Sequence, residues 1–330
     1  MMIGRREFMA MLGTAAAWPI AARAQQGERM RRVGVLVGFS EGDQQAVILV
    51  LREELAKFGW IDGRNLGLDI RFIGGEVDRI PNYAIELVAI NPDVIVTSGG
   101  AAMRAVQRQT QTIPIVISGA GDPAGSGFVK NIAHPEGNTT GITNLYASIG
   151  GKWVELLKQA APKLERIGLL ENPQLNSVSG SVYRPSAEEA TRALGIKVIW
   201  ISYHDTLDIV RGVDAFAAEP NGGLIVLPPA PNATNRETVR RLAVEHRLPA
   251  IWQTKQYAVE GGLMAYGSNP LDVMRRSVSF VDRILRGARV SELALEFPTR
   301  FELTINLKSA KAMGLIIPAS VLLIADEVIE

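Results

Sequence analysis

Short runs of β-branched and aliphatic residues alternate along this chain with longer stretches whose apolar residues recur at helical spacing. Val33-Gly34-Val35-Leu36-Val37 contains no polar residue, the pattern of a strand covered on both faces. It is followed by residues 44–58, where Val47, Leu51, Leu55 and Phe58 fall on one helical face and Gly59 supplies a stop. The unit then repeats. The pattern predicts strands over 66–73, 93–97 and 113–117, with helices over 80–90 and 101–109 between them. After Asn138-Thr139-Thr140-Gly141, read as the approach to a lobe crossing, the grammar restarts. Helices are predicted over 152–160, 186–194, 208–218 and 236–245, and strands over 167–170, 198–201, 223–227 and 250–252. Strict alternation of this kind specifies parallel sheets with crossover helices, and its restart predicts two Rossmann-like α/β lobes. The tail, with strands over 262–266 and 301–305 and helices over 271–285 and 309–313, is too long for a terminal cap and is expected to weave between the lobes.

The first 24 residues stand outside this pattern. Arg5-Arg6-Glu7-Phe8 precedes a short, alanine-rich apolar stretch that ends in Ala22-Arg23-Ala24, the order of charged, apolar and small-x-small segments in an export signal. The paired arginines point to the twin-arginine route, and Gly4 and Ala10 leave the Sec route open. Gly13 and Pro19 interrupt the run, which is too short to span about 30 Å of hydrocarbon. Cleavage after residue 24 predicts a soluble periplasmic protein, and with no cysteine to acylate it is not lipid-anchored.

Composition narrows the chemistry. The chain has 35 basic and 34 acidic residues, interleaved, so no nucleic-acid surface is indicated. It has no cysteine, which excludes disulfides, thiolate metal sites and a thiol nucleophile. His134, His204 and His246 are isolated, with no H-E-x-x-H, G-x-S-x-G or Walker pattern near them. Gly119-x-Gly121-x-x-Ala124 resembles a dinucleotide fingerprint, but Asp122 inside it would repel a pyrophosphate. Neither catalytic residues nor a cofactor or metal is expected.

Ligands of open α/β sheets bind beyond the carboxyl ends of the strands. This nominates Phe39 and Ser40, Ser98 and Gly99, and Asp122 in the first half, with Asn172, Pro228 and Trp252 in the second. Ser98-Gly99-Gly100 opens a helix and can receive a carboxylate, or Ser98 can cap its own helix. Asp122 before Pro123 can pair an ammonium or hold its own turn. Phe39, Tyr146, Trp252 and Tyr266 are aromatics near strand ends or the crossing, placed to cover an apolar group. Trp60, Trp153 and Trp200 read as packing residues.

The chain also resembles the substrate-binding proteins of ABC uptake transporters. The resemblance rests on Pro92-Asp93-Val94-Ile95-Val96, Gly121-Asp122-Pro123, Gly137-Asn138-Thr139-Thr140-Gly141, Gly222 to Pro228, Gly261-Gly262-Leu263-Met264, Phe301-Glu302-Leu303 and Ala325 to Glu330. Pro229 departs from it, standing where an acidic residue is expected. The resemblance implies a type I periplasmic-binding fold with a three-stranded hinge. One lobe takes 29–145 and 267–300, the other 146–266 and 301–330. It implies a monomer that closes over an amino acid or an aromatic or carboxylate solute and delivers it to a membrane permease whose ATPase is a separate chain. Two other readings stay open at this point, an exported cofactor-dependent enzyme and a periplasmic sensory module.

Overall fold

The structure, a computed structural model, describes residues 29–38, 41–73, 77–120, 129–143, 147–173, 179–228 and 233–330. Residues 1–24, read as an export signal, therefore lie outside the described residues. In chain order the first elements are β1 (Arg31–Val37), α1 (Glu41–Lys57), β2 (Leu66–Phe72), α2 (Ile80–Ala89), β3 (Val94–Thr97), α3 (Gly100–Gln109), β4 (Ile115–Ala120) and β5 (Thr139–Thr143). There follow α4 (Ile149–Ala160), β6 (Arg166–Glu171), α5 (Ser179–Ala193), β7 (Lys197–Ser202), α6 (Thr206–Ala217), β8 (Gly222–Val226), α7 (Ala233–Glu245), β9 (Ala250–Trp252), α8 (Lys255–Val259) and β10 (Met264–Gly267). The chain ends with α9 (Pro270–Leu285), β11 (Glu302–Asn306), α10 (Leu307–Ala312), α11 (Ala319–Leu322) and β12 (Glu327–Ile329).

Two sheets result. The first, in the order β2-β1-β3-β4-β5, is parallel throughout. Its central strands β1, β3 and β4 are mostly apolar on both sides because both sides are covered. Val33, Val35, Val37, Val94, Val96 and Val116 share a core with Leu51 and Leu55 of α1 and Met274, Val278 and Val281 of α9. The alternate positions Leu36, Ile95 and Ile115 pack with Ala84 and Leu87 of α2 and Ala102 and Val106 of α3. The second sheet has the order β12-β11-β10-β9-β8-β6-β7 and a single large core.

The chain passes between the sheets three times, after β5, after β10 and before β11. Helix α9, late in sequence, is fastened to the first sheet's helices at one carboxylate. Asp282 accepts from the Trp60 indole at 2.8 Å and from Arg286 Nε at 2.7 Å, and Arg286 also donates to the Phe58 carbonyl at 2.7 Å. In the other lobe the Trp153 indole donates to the Tyr266 carbonyl at 2.8 Å, tying α4 to the end of β10. Trp60 and Trp153 are thus packing residues, as the sequence indicates.

Two features differ from the sequence expectation. β11 runs antiparallel to β10, because the chain re-enters its lobe from the crossing side and must run back down the sheet. The stretch at 138–141 is no mere connector. Thr139 to Thr143 form the edge strand β5, whose threonines are used as donors and acceptors: Gln107 Nε2 donates to Thr139 Oγ1 at 2.7 Å, and Thr140 Oγ1 donates to the Leu293 carbonyl at 2.6 Å. α8, α11 and β12 were also not predicted, being only three to five residues long.

Gly141 sits in β5 at φ +123°, and a Cβ there would collide with the Ile117 backbone of β4. Gly141→Ala is expected to cost about 3 kcal/mol or more in urea unfolding, since two strand backbones would have to separate. Asp93 supplies a pH test. Burial pushes its carboxyl up, but the Arg32 backbone N–H at 2.8 Å and the Arg31 guanidinium at 2.7 Å outweigh this and hold it below the usual carboxylate range. A carboxyl lowered on folding stabilises above its unfolded value of about 4, and that contribution is lost as pH falls through the folded value. Asp93→Asn should therefore be less stable than the parent at pH 7, with the gap in melting temperature closing as pH drops below about 4.

Candidate functional site

The carboxyl ends of β1, β3 and β4 are drawn together by backbone bonds that continue past the strands. The Ser98 amide donates to the Leu36 carbonyl at 3.0 Å, the Gly99 amide to Gly119 at 3.0 Å and the Ile73 amide to Val37 at 2.9 Å. Ser98 and Gly99 therefore sit at the mouth of the first sheet, partly exposed. Gly99, not Ser98, is the N-cap of α3, and it has φ +88° with nothing within 4 Å of a would-be Cβ. Glycine is there for its backbone angle, since space is open. The first intrahelical bond runs from Met103 N–H to the Gly99 carbonyl, so the first-turn amides of α3 are left without an internal partner, and Gly99 has no side chain to cap them.

Arg104, which the sequence reading did not single out, adds to the positive end of this helix. Its guanidinium lies 3.5 Å from where a Gly100 Cβ would stand, one turn back toward the helix start. Burial and the neighbouring Arg108 charge press its pKa down, opposing a second cation there. An uncapped N-terminus with a part-buried guanidinium beside it favours an anion. Below the same mouth, Thr97 Oγ1 and Ser118 Oγ are buried with no hydrogen-bond partner among the described residues. The sequence signal for both is a lone hydroxyl at the end of an aliphatic run, Val94 to Thr97 and Ile115 to Ser118.

The second sheet presents its own strand ends. The Leu227 amide donates to the Leu170 carbonyl at 3.0 Å, which brings Pro228 and Asn172 side by side just beyond β8 and β6. Both are buried. Glu171, at the end of β6, is 13% exposed and pairs with Arg184 at 3.8 Å, whose guanidinium lies 3.7 Å over the Trp200 ring.

The remaining nominated residues divide two ways. Phe39, Ser40, Asp122 and Tyr146 lie outside the described residues. Trp252 and Tyr266 are not brought to the strand-end opening. Trp252 is 2% exposed, with its ring 5.2 Å from that of Tyr257 inside the second core. Tyr266 stacks on Phe301 at 5.9 Å and faces a separate groove over the crossings. Burial, then the Asp326 charge, raises its phenol pKa, so it stays protonated at neutral pH. His246 pairs with Asp214 at 2.7 Å on the surface of the second lobe. No group of three metal-ligating side chains occurs among the described residues. Among them, too, no helix is long and apolar enough to cross a membrane.

The fold is shared with known proteins. The chain is 22% identical over 263 residues to a tyrosine-binding protein of Clostridioides difficile, covering 78% of this chain and 73% of that one. A conserved domain protein from Vibrio cholerae superposes with a TM-score of 0.82 at 25% identity, over 91% of this chain and all of that one. An ABC domain from Streptococcus pneumonia in complex with L-Trp gives 0.80 at 23% identity, over 91% of this chain and 99% of its own. A ligand-free, open substrate-binding protein with adhesive properties from Clostridium difficile gives 0.69 at the same identity and coverage. The ABC transporter substrate binding protein family matches residues 32–329, and the chain belongs to that family.

Proposed function

We propose that this protein is the exported solute receptor of an ABC uptake system, taking an amino acid or a related aromatic carboxylate between its lobes and handing it to a membrane permease. The observation that carries the proposal is the pair of sheets whose carboxyl ends both place nominated residues at an opening. One end has the uncapped N-terminus of α3 with Ser98, Gly99 and Arg104; the other has Asn172 and Pro228. Such a site binds and orients without performing chemistry. The lobe division that fits is 29–145 with 267–300 against 146–266 with 301–330. In this reading residues 1–24 direct the chain to the periplasm, and the receptor works as a monomer with a separate permease and ATPase.

Closure of the lobes over the solute is part of the reading. Two relatives of equal identity and coverage, one bound to L-Trp and one ligand-free and open, superpose on this chain at 0.80 and 0.69. A difference in lobe angle is a change that produces such a gap between proteins of one fold. The names of the relatives supply the solutes to try, L-tyrosine and L-tryptophan.

The test is a thermal-shift series on residues 25–330 with those two amino acids, other amino acids and small aromatic acids. A solute at 100 times its dissociation constant stabilises by about 2.7 kcal/mol, a rise of about 5 °C or more in melting temperature. No shift with any of them, together with a coloured cofactor in the purified protein, would replace the receptor by an exported enzyme. The carboxylate assignment is checked by comparing each binding amino acid with its C-terminal amide in calorimetric titration. Loss of the negative charge should weaken binding about tenfold if α3 and Arg104 hold that end. Equal affinities would place the carboxylate elsewhere.

A further inference from the structure

The third crossing is held by different lobes on its two sides. Glu296 is fastened to β5 of the first sheet, its amide donating to the Gly141 carbonyl at 2.9 Å and its carbonyl accepting from the Thr143 amide at 3.0 Å. Arg276, from the middle of α9, then grips the next residues with one side chain. Its guanidinium donates to the Glu296 carboxylate at 2.6 Å, to the Phe297 carbonyl at 3.2 Å and to Thr299 Oγ1 at 3.4 Å. From Phe301 onward the chain belongs to the second lobe. Phe301 stacks on Tyr266, both pack against the second core, and Glu302 pairs with Gly267 in the β10–β11 ladder. Between the two attachments stands Arg300, whose side chain is 70% exposed.

The second crossing is arranged alongside. Gly267 closes β10, with its Cα against the Gln253 carbonyl so that no side chain fits, and Asn269 caps α9 through the Leu271 amide at 3.0 Å. Extending the Gly267–Glu302 register places Ser268 and Asn269 across from Phe301 and Arg300. The two crossings therefore run side by side at these positions.

We propose that Arg276 is the positioning residue of the lobe hinge. It makes residues 296–299 part of the first lobe and confines the bend of the third crossing to Thr299–Arg300, next to that of the second crossing at Ser268. The proposal rests on the reading that the lobes close around a solute. A groove of about 1130 Å³ lies directly over these bends, lined by Lys152 and Glu189 of the second lobe, Arg276 and Glu296 of the first, and the crossing residues Tyr266 and Phe297. Among the described residues, none of the nominated strand-end residues except Tyr266 lines it, and the proposal sets groove and solute opening on different sides of the crossings. A hinge confined to these bends widens the groove as the opening narrows.

The absence of native cysteine makes the test clean, since two introduced thiols can be spin-labelled alone. Glu189→Cys on α5 and Arg283→Cys on α9, both exposed, measure the groove. In the parent, adding L-tryptophan or L-tyrosine should lengthen this distance. In Arg276→Ala the unliganded distance distribution should broaden and solute affinity fall about fivefold, because the freed segment must be ordered on closure. Arg276→Lys keeps a charge for Glu296 but cannot also reach Phe297 and Thr299, so it should show the broadening even if the alanine variant fails to fold. Unchanged width and affinity in the lysine variant would overturn the clamp whether or not the parent responds to solute. A parent whose melting temperature rises with solute while the distance stays fixed would instead overturn the closure reading and leave the clamp to be judged by the unliganded widths.

Discussion

The antiparallel pairing of β10 with β11 is the constraint on which the two-lobe arrangement depends. Among the described residues every other strand pair is parallel and can be made by a chain that never leaves its lobe. This one joins the strand by which the chain leaves the second lobe to the strand by which it returns. Between them lie α9 and the segment through Glu296, which complete the first lobe's core. The pair therefore closes a loop through the other lobe and brings two crossings within one ladder's width. The glycine at its end is a consequence: at Gly267 the backbone is so near the Gln253 carbonyl that any side chain would open the ladder at the point where the lobes join.

Most of the architecture was legible because period and burial agree. A strand such as Val33 to Val37 is apolar at every position, and helices such as α9 present one apolar face, so both read directly from sequence. What escaped was structure made by polar residues or by few residues. β5 carries three threonines in five positions, which reads as a loop until Gln107 and the Leu293 carbonyl are seen to take up Thr139 and Thr140. The sense of β11 also escaped, since strand direction follows from where the chain enters a lobe and leaves no mark on the strand's own composition.

The candidate site was legible to a lesser degree, for a related reason. The rule that ligands meet strand ends located Ser98, Gly99, Asn172 and Pro228 at the mouths of their sheets. It could not say which way a side chain at a strand end points. Trp252 and Tyr266 stand at such ends, and the first turns into the core while the second faces the crossings. Arg104 was missed because its significance comes from a neighbour. Gly100 leaves the space into which the guanidinium folds back toward the helix start.

The positive end of α3 and the hinge are mechanically related. Helix α3 starts from β3, which is paired with β4, and β4 is paired with β5, the strand that carries both the first crossing and the ladder contact to Glu296. Ser277 of α9 donates to the Ile117 carbonyl of β4 at 3.2 Å, on the same helix that supplies Arg276. On the proposed reading, an anion drawn to the start of α3 would pull on the sheet that Arg276 fastens to the third crossing. Because packed sheets and helices transmit displacement with little compression, that pull would reach the segment next to Arg300, where the first attachment ends and the second begins. On that reading the geometry of lobe closure would be set less by the solute than by where along the crossing the two attachments meet.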